Sequence, residues 1–143
     1  MESLLLHCLP RRLHGRVALL AQFLRFGTVG TFGFVVDTAT VYALRGTLGL
    51  YGAGAAAYLT AASANWLCNR LWTFRGHGHG PAHRQWLVFL ATNFLGFLLN
   101  RGTYALLVTF SALCAAQPVW AVAAGSLTGM FLNFHLSRSV VFR

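Results

Sequence analysis

The chain has 143 residues, of which 57% are hydrophobic and only 9% charged, and its mean hydropathy is +0.60. Soluble domains carry about 25% charged residues, so this composition excludes a water-clothed globule and indicates a membrane protein. The net charge of +9 comes from arginine alone, against Glu2 and Asp37; because the arginines gather at the ends of apolar segments, they point to topology and lipid headgroups, and nucleic acid is excluded as a partner.

Residues 1–21 read as a basic, partly amphipathic segment suited to the membrane surface. The apolar run 4–9 is short for a signal peptide, contains His7, and is followed rather than preceded by Arg11 and Arg12. Cys8, Cys68 and Cys114 are far apart, form no CxxC, and read as small apolar fillers.

Four apolar spans follow, at 26–44, 50–71, 86–110 and 119–136. Each is close to the roughly 20 residues a helix needs to cross the hydrocarbon. The second is rich in alanine and should pack between helices. Short connections at 45–49 and 111–118 make the spans into two helical hairpins, joined by a polar, glycine-rich loop at 72–85. Arg11, Arg12, Arg16 and Arg25 precede span 1, Arg70, Arg75 and Arg84 flank the central loop, and Arg138 and Arg143 close the chain, with only Arg45 on the other side. The expected fold is therefore an all-α integral membrane protein of four transmembrane helices, inserted in one orientation with both termini cytoplasmic.

The halves repeat. A shift of 63 aligns residues 22–44 with 85–107, matching Gln22/Gln85, Phe26/Phe89, Gly33/Gly96, Phe34/Phe97 and Thr40/Thr103. A shift of 68 aligns 65–75 with 133–143, matching Asn65/Asn133, Arg70/Arg138, Phe74/Phe142 and Arg75/Arg143. The expected domain is 22–143, with repeat 1 at 22–75 and repeat 2 at 85–143. Two spans per unit give both copies the same orientation, as tandem hairpins in a parallel repeat about an axis near the membrane normal.

Charges inside a bilayer are costly and tend to face a partner or a hydrated path. Asp37 interrupts span 1 and Arg101 interrupts span 3; the repeat aligns Asp37 with Asn100 and Thr38 with Arg101. Both groups then lie about 18 Å from Arg25 at 1.5 Å per residue, and an Asp37–Arg101 ion pair is the expected arrangement. With Asn93, these residues form an expected intramembrane polar centre, either a packing seam or the lining of a path. At the cytoplasmic ends, Asn65, Asn69, Arg70 and Trp72 are mirrored by Asn133, Ser137 and Arg138. Arginine with carboxamides at headgroup depth, joined by Arg25, makes a candidate phosphate-binding set; the alternative is that the arginines only anchor helix ends.

His77, His79 and His83 in the loop lack a carboxylate or thiolate companion, so neither a metal nor another cofactor is expected. The chain has no carboxylate pair, HExxH, GxSxG or phosphate-cradling glycine loop, which argues against an enzyme.

The opening Arg25, Phe26, Val29 and Gly30, Asp37 within span 1, and the close Asn65, Asn69, Arg70, Trp72, Thr73 and Phe74 resemble the GtrA-like family of small four-span membrane proteins. The resemblance covers nearly all of residues 22–143; the second hairpin departs from it, with Ser137 and Val140 where the first has Asn69 and Trp72. It implies a role in cell-surface polysaccharide synthesis at the bacterial inner membrane, as a flippase of a polyprenyl-phosphate-linked sugar made by a separate membrane glycosyltransferase. Arg70, Arg138 and their asparagines would hold the phosphate, while Asp37, Asn100 and Arg101 would meet the crossing sugar. Four short spans enclose little volume, which makes a homodimer reasonable. Two other readings stay open: a scaffold that recruits the glycosyltransferase, and a proton-coupled exporter resembling the small multidrug resistance proteins.

Overall fold

The computed structural model describes residues 11–78, 80–117 and 119–143, and the regular structure among them is entirely helical. Residues 1–10, including Cys8, and His79 lie outside the described residues. Helix α1 runs Arg11–Cys68, α2 Ala82–Phe110, α3 Ala112–Ala116 and α4 Val119–Leu136. Residues 11–21, expected as a separate surface segment, continue α1 without a break, there being no proline between Arg11 and Cys68 to interrupt it. The stretch Gly15–Gly49 is long and apolar enough to cross a membrane, with a mean hydropathy of 1.5 in its most apolar window. Within the expected 111–118 connection, α3 forms a short turn started by Ser111, whose hydroxyl accepts from the Cys114 N–H.

At Gly49 (φ 65°, ψ 175°) α1 leaves helical geometry, in a backbone region that glycine enters without steric cost. The arms on either side lie side by side, for Gly33 and Asn65, equidistant from Gly49, are in contact. Helices α2 and α4 pair in the same way, through Gly96 with Asn133, and through Asn100 with Gly125. The pairs then meet along two lines. Phe23 and Phe26 of the first arm pack on Phe131 and Phe134 of α4, while Tyr58 and Ser63 of the second arm bond the Leu90 carbonyl and the Trp86 indole of α2.

Small and short polar residues recur at every fourth position along the second arm and along α4. Ala53, Ala57, Ala61, Asn69 and Thr73 are buried, as are Ala121, Gly125, Gly129, Ser137 and Val141, with Asn65 and Asn133 completing the two ladders. Side chains this small let helix backbones approach closely. A spacing of four outruns the 3.6 residues of an α-turn, so such a ladder drifts around the helix. Both ladders end in a π-helical turn, Asn69–Thr73 and Ser137–Val141. There the Phe74 and Phe142 N–H groups each reach back five residues, to the Asn69 and Ser137 carbonyls, over 2.8 Å. The wider turn reverses the drift and delivers Phe74 and Phe142 into the core.

Those rings stack at 4.7 Å and 12°. Phe26 meets Phe74 at 6.3 Å and 66°, and Phe89 meets Phe142 at 6.1 Å and the same 66°, so residues related by the two shifts hold matching geometry. The outside is apolar: Phe34, Leu71, Leu106 and Phe110 are each more than 60% exposed, a quantity of bare apolar surface that soluble monomers do not carry. Thr28, Thr31, Thr60 and Thr109 return their hydroxyls to the carbonyl four residues earlier, which satisfies them without water.

Candidate functional site

Two glycines seat two carboxamides. A Cβ built on Gly33 would fall within the Asn65 side chain, and one on Gly96 within that of Asn133. One turn beyond Asn65, the first residue of the π turn is Asn69, 1% exposed. On α2, Asn93 donates to the Phe89 carbonyl at 2.9 Å, and Asn100 lies against Gly125. All five carboxamides line one cavity of about 570 Å³ between the two helix pairs. Its remaining walls include the rings of Phe26, Phe34, Phe89 and Phe97 and the hydroxyls of Thr31 and Ser126.

Among the described residues no ionisable side chain lines this cavity. The Oδ1 atoms of Asn65, Asn69 and Asn133 are buried without a hydrogen-bond partner, and so, closer to the π turns, are Thr73 Oγ1 and Ser137 Oγ. A buried polar atom left unpaired costs about 1–3 kcal/mol, so a cluster of them on residues that also line a cavity calls for a functional explanation. The volume lies within the roughly 300–1,000 Å³ of small-molecule sites.

Beside the cavity, the buried Gln85 ties three elements together. The Trp66 indole N–H donates to its Oε1 over 3.2 Å, the Arg70 guanidinium donates to the same oxygen, and Gln85 Nε2 donates to the Val141 carbonyl at 3.2 Å. Only a carboxamide can accept from two donors and donate at its other end. A model of the GtrA/DPMS transmembrane domain matches residues 25–142.

The chain belongs to the GtrA/DPMS transmembrane-domain family. It is an integral membrane protein by that match, and the apolar Gly15–Gly49 stretch agrees with it. No curated protein matches it.

Within this GtrA/DPMS domain the residues singled out by the sequence separate into two groups. Asn65, Asn69, Asn93, Asn100 and Asn133 converge on the cavity; Asp37 and the arginines do not line it. Arg70 is held by Gln85, with its Cζ 5.7 Å from the centre of the Trp66 ring. Arg25 is half-buried, and Arg138 and Trp72 are exposed. The expected grouping of arginines with asparagines is therefore not formed around one point, because Asn69 and Arg70 are sequence neighbours and point in different directions around the helix.

The expected Asp37–Arg101 pair is not formed either. Arg101 is exposed, with its guanidinium over the Phe97 ring at 5.5 Å, and among the described residues no ion pair joins it to the half-buried Asp37. Asn100 faces α4 at Gly125, which turns the next residue about 100° away from that helix.

Among the described residues no group of three His, Cys, Asp or Glu is placed to hold a metal; His77 lies against the Arg75 carbonyl at 3.3 Å. The residue that sequence reasoning passed over is Gln85. Its match with Gln22 was visible, but only the fold distinguishes them: Gln85 is buried and Gln22 half-buried. A second, smaller cavity of about 270 Å³ beside Gly78 and Pro81 is bordered by Arg84 and Arg143, which the sequence marked only as loop-flanking and chain-closing arginines.

Proposed function

We propose that this GtrA/DPMS-family protein moves a polyprenyl-phosphate-linked sugar between the leaflets of the bacterial inner membrane, serving cell-surface glycoconjugate synthesis. It would cross the bilayer four times, as two tandem hairpins in parallel orientation with both termini cytoplasmic, the side to which the arginine excess points. A membrane glycosyltransferase would supply the lipid from the cytoplasmic leaflet, and this chain would change the lipid's position and none of its bonds.

The observation that carries this reading is the carboxamide-lined cavity between the two helix pairs, open to one side and flanked by exposed apolar surface. Polar lining within a membrane domain marks a path for a polar group, and a prenyl chain could remain among lipids beside the exposed Phe34 that borders it. Arg25, Arg70 and Arg138, which lie off the cavity walls, would meet the phosphate.

The test is leaflet transfer. Full-length protein reconstituted in liposomes with a labelled polyprenyl-phosphate sugar should expose inner-leaflet lipid to an external reagent faster than protein-free liposomes do. Equal rates would remove the transport reading.

A further inference from the structure

We infer that the carboxamide cavity is the seat of the sugar itself, and that it admits only an uncharged sugar, the phosphate staying outside it. This deepens the transport reading above and rests on it.

Three features converge. First, among the described residues the cavity is lined by neutral groups alone: Asp37, Arg25, Arg70, Arg101 and Arg138 lie off its walls. A uronate carboxylate or a second phosphate placed there would be a buried charge with no counter-ion, which is among the most expensive arrangements available to a protein. Second, Asn65, Asn69 and Asn133, which line the cavity, each hold a buried carbonyl oxygen without a partner, those of Asn65 and Asn133 turned onto Gly33 and Gly96. A sugar hydroxyl is both donor and acceptor, and a carboxamide that turns about its last bond answers both. A uronate carboxylate offers no donor in place of the glucose 6-hydroxyl and brings a charge with it. Third, Phe26, Phe34, Phe89 and Phe97 border the same space and give it apolar wall for the C–H faces of a pyranose.

The two ends of the headgroup are thereby divided. The asparagines, which sequence spacing groups with Arg70 and Arg138, serve the sugar; the arginines outside serve the phosphate. Asn69 at 1% exposure is the deepest member, and Asn133, seated on Gly96, is the member of the second helix pair whose oxygen is unpaired.

Binding to the purified full-length chain, read by tryptophan fluorescence in detergent, tests this with three probes: farnesyl phosphate, farnesyl-phosphoglucose and farnesyl-phosphoglucuronate. Glucose should raise affinity at least about tenfold over farnesyl phosphate, and glucuronate should add nothing. Asn133→Leu should abolish the gain from glucose while leaving farnesyl phosphate within about twofold of wild type, which shows that the variant is folded. For a variant that fails this control, Ser126→Ala, which removes one hydroxyl from the cavity wall, should still reduce the glucose gain measurably. Glucuronate binding as tightly as glucose, or variants that keep the full gain, would overturn the inference. A sugar-dependent gain without leaflet transfer in liposomes would instead remove the transport reading and leave the cavity assignment standing; transfer without the gain would do the reverse.

Discussion

Gly96 and Asn133 share a space that holds only one side chain, and Gly33 and Asn65 stand in the same relation. Adding a methyl group to either glycine pushes a carboxamide out of its seat against the facing helix. Gly96→Ala and Gly33→Ala are each expected to lose about 1–3 kcal/mol from overpacking, more than the helix gains by replacing glycine. At Gly30 a Cβ meets nothing within 4 Å, so Gly30→Ala should be neutral or stabilising by about 0.5–1 kcal/mol. Thermal unfolding of the three variants in one detergent gives the order directly, and Gly30→Ala falling with the other two would refute it.

Gln85 accepts from Trp66 and Arg70 and donates to Val141. Gln85→Leu keeps the bulk and leaves two donors and a carbonyl without their partner, so a loss of about 1–3 kcal/mol is expected. Gln85→Glu preserves both acceptances and gives Arg70 a charged partner, so it should lose less. A leucine variant as stable as the glutamate variant would show that the three bonds contribute little.

Asp37 and Arg101 are not paired, which a double-mutant cycle can measure. Asp37→Asn and Arg101→Gln should combine additively in stability to within about 0.5 kcal/mol, as separated sites do. A coupling above about 1 kcal/mol would reinstate the ion pair.

Phe74 and Phe142 are each 1% exposed and lie face to face. Truncating either to alanine should cost about 3–5 kcal/mol. The pair should be coupled by about 0.5–1.5 kcal/mol beyond that, so the double variant would be less damaged than the sum of the singles. Unfolding midpoints of the four proteins in the cycle test this.

The helices were legible because hydropathy reports them directly. The expected spans 26–44 and 86–110 fall inside α1 and α2, and 119–136 coincides with α4. The break between the first two spans was visible as the short connection ending at Gly49. The repeat was legible as well, since the two shifts carry the Gly33–Asn65 contact onto Gly96–Asn133. Direction around the helix was not. Asn100 and Arg101 are neighbours in the chain, yet one meets Gly125 and the other lies exposed on Phe97; only the partner helix decides which of them is turned inward. The same limit hid the separation of Asn69 from Arg70. The π turns were hidden for another reason: their sequences, NRLWT and SRSVV, contain nothing that forbids an α-turn, and the wider turn is imposed by the need to bring Phe74 and Phe142 inward.

Flat rings lying face to face resist separation but turn over one another with little change in contact. The Phe74–Phe142 stack joins the ends of the two helix pairs, so it acts as a bearing rather than a weld. Any turning there would have to slide the Phe23–Phe131 and Phe26–Phe134 contacts and release the Tyr58 and Trp86 hydrogen bonds that join the same two pairs, so the bearing is held by latches on either side of it.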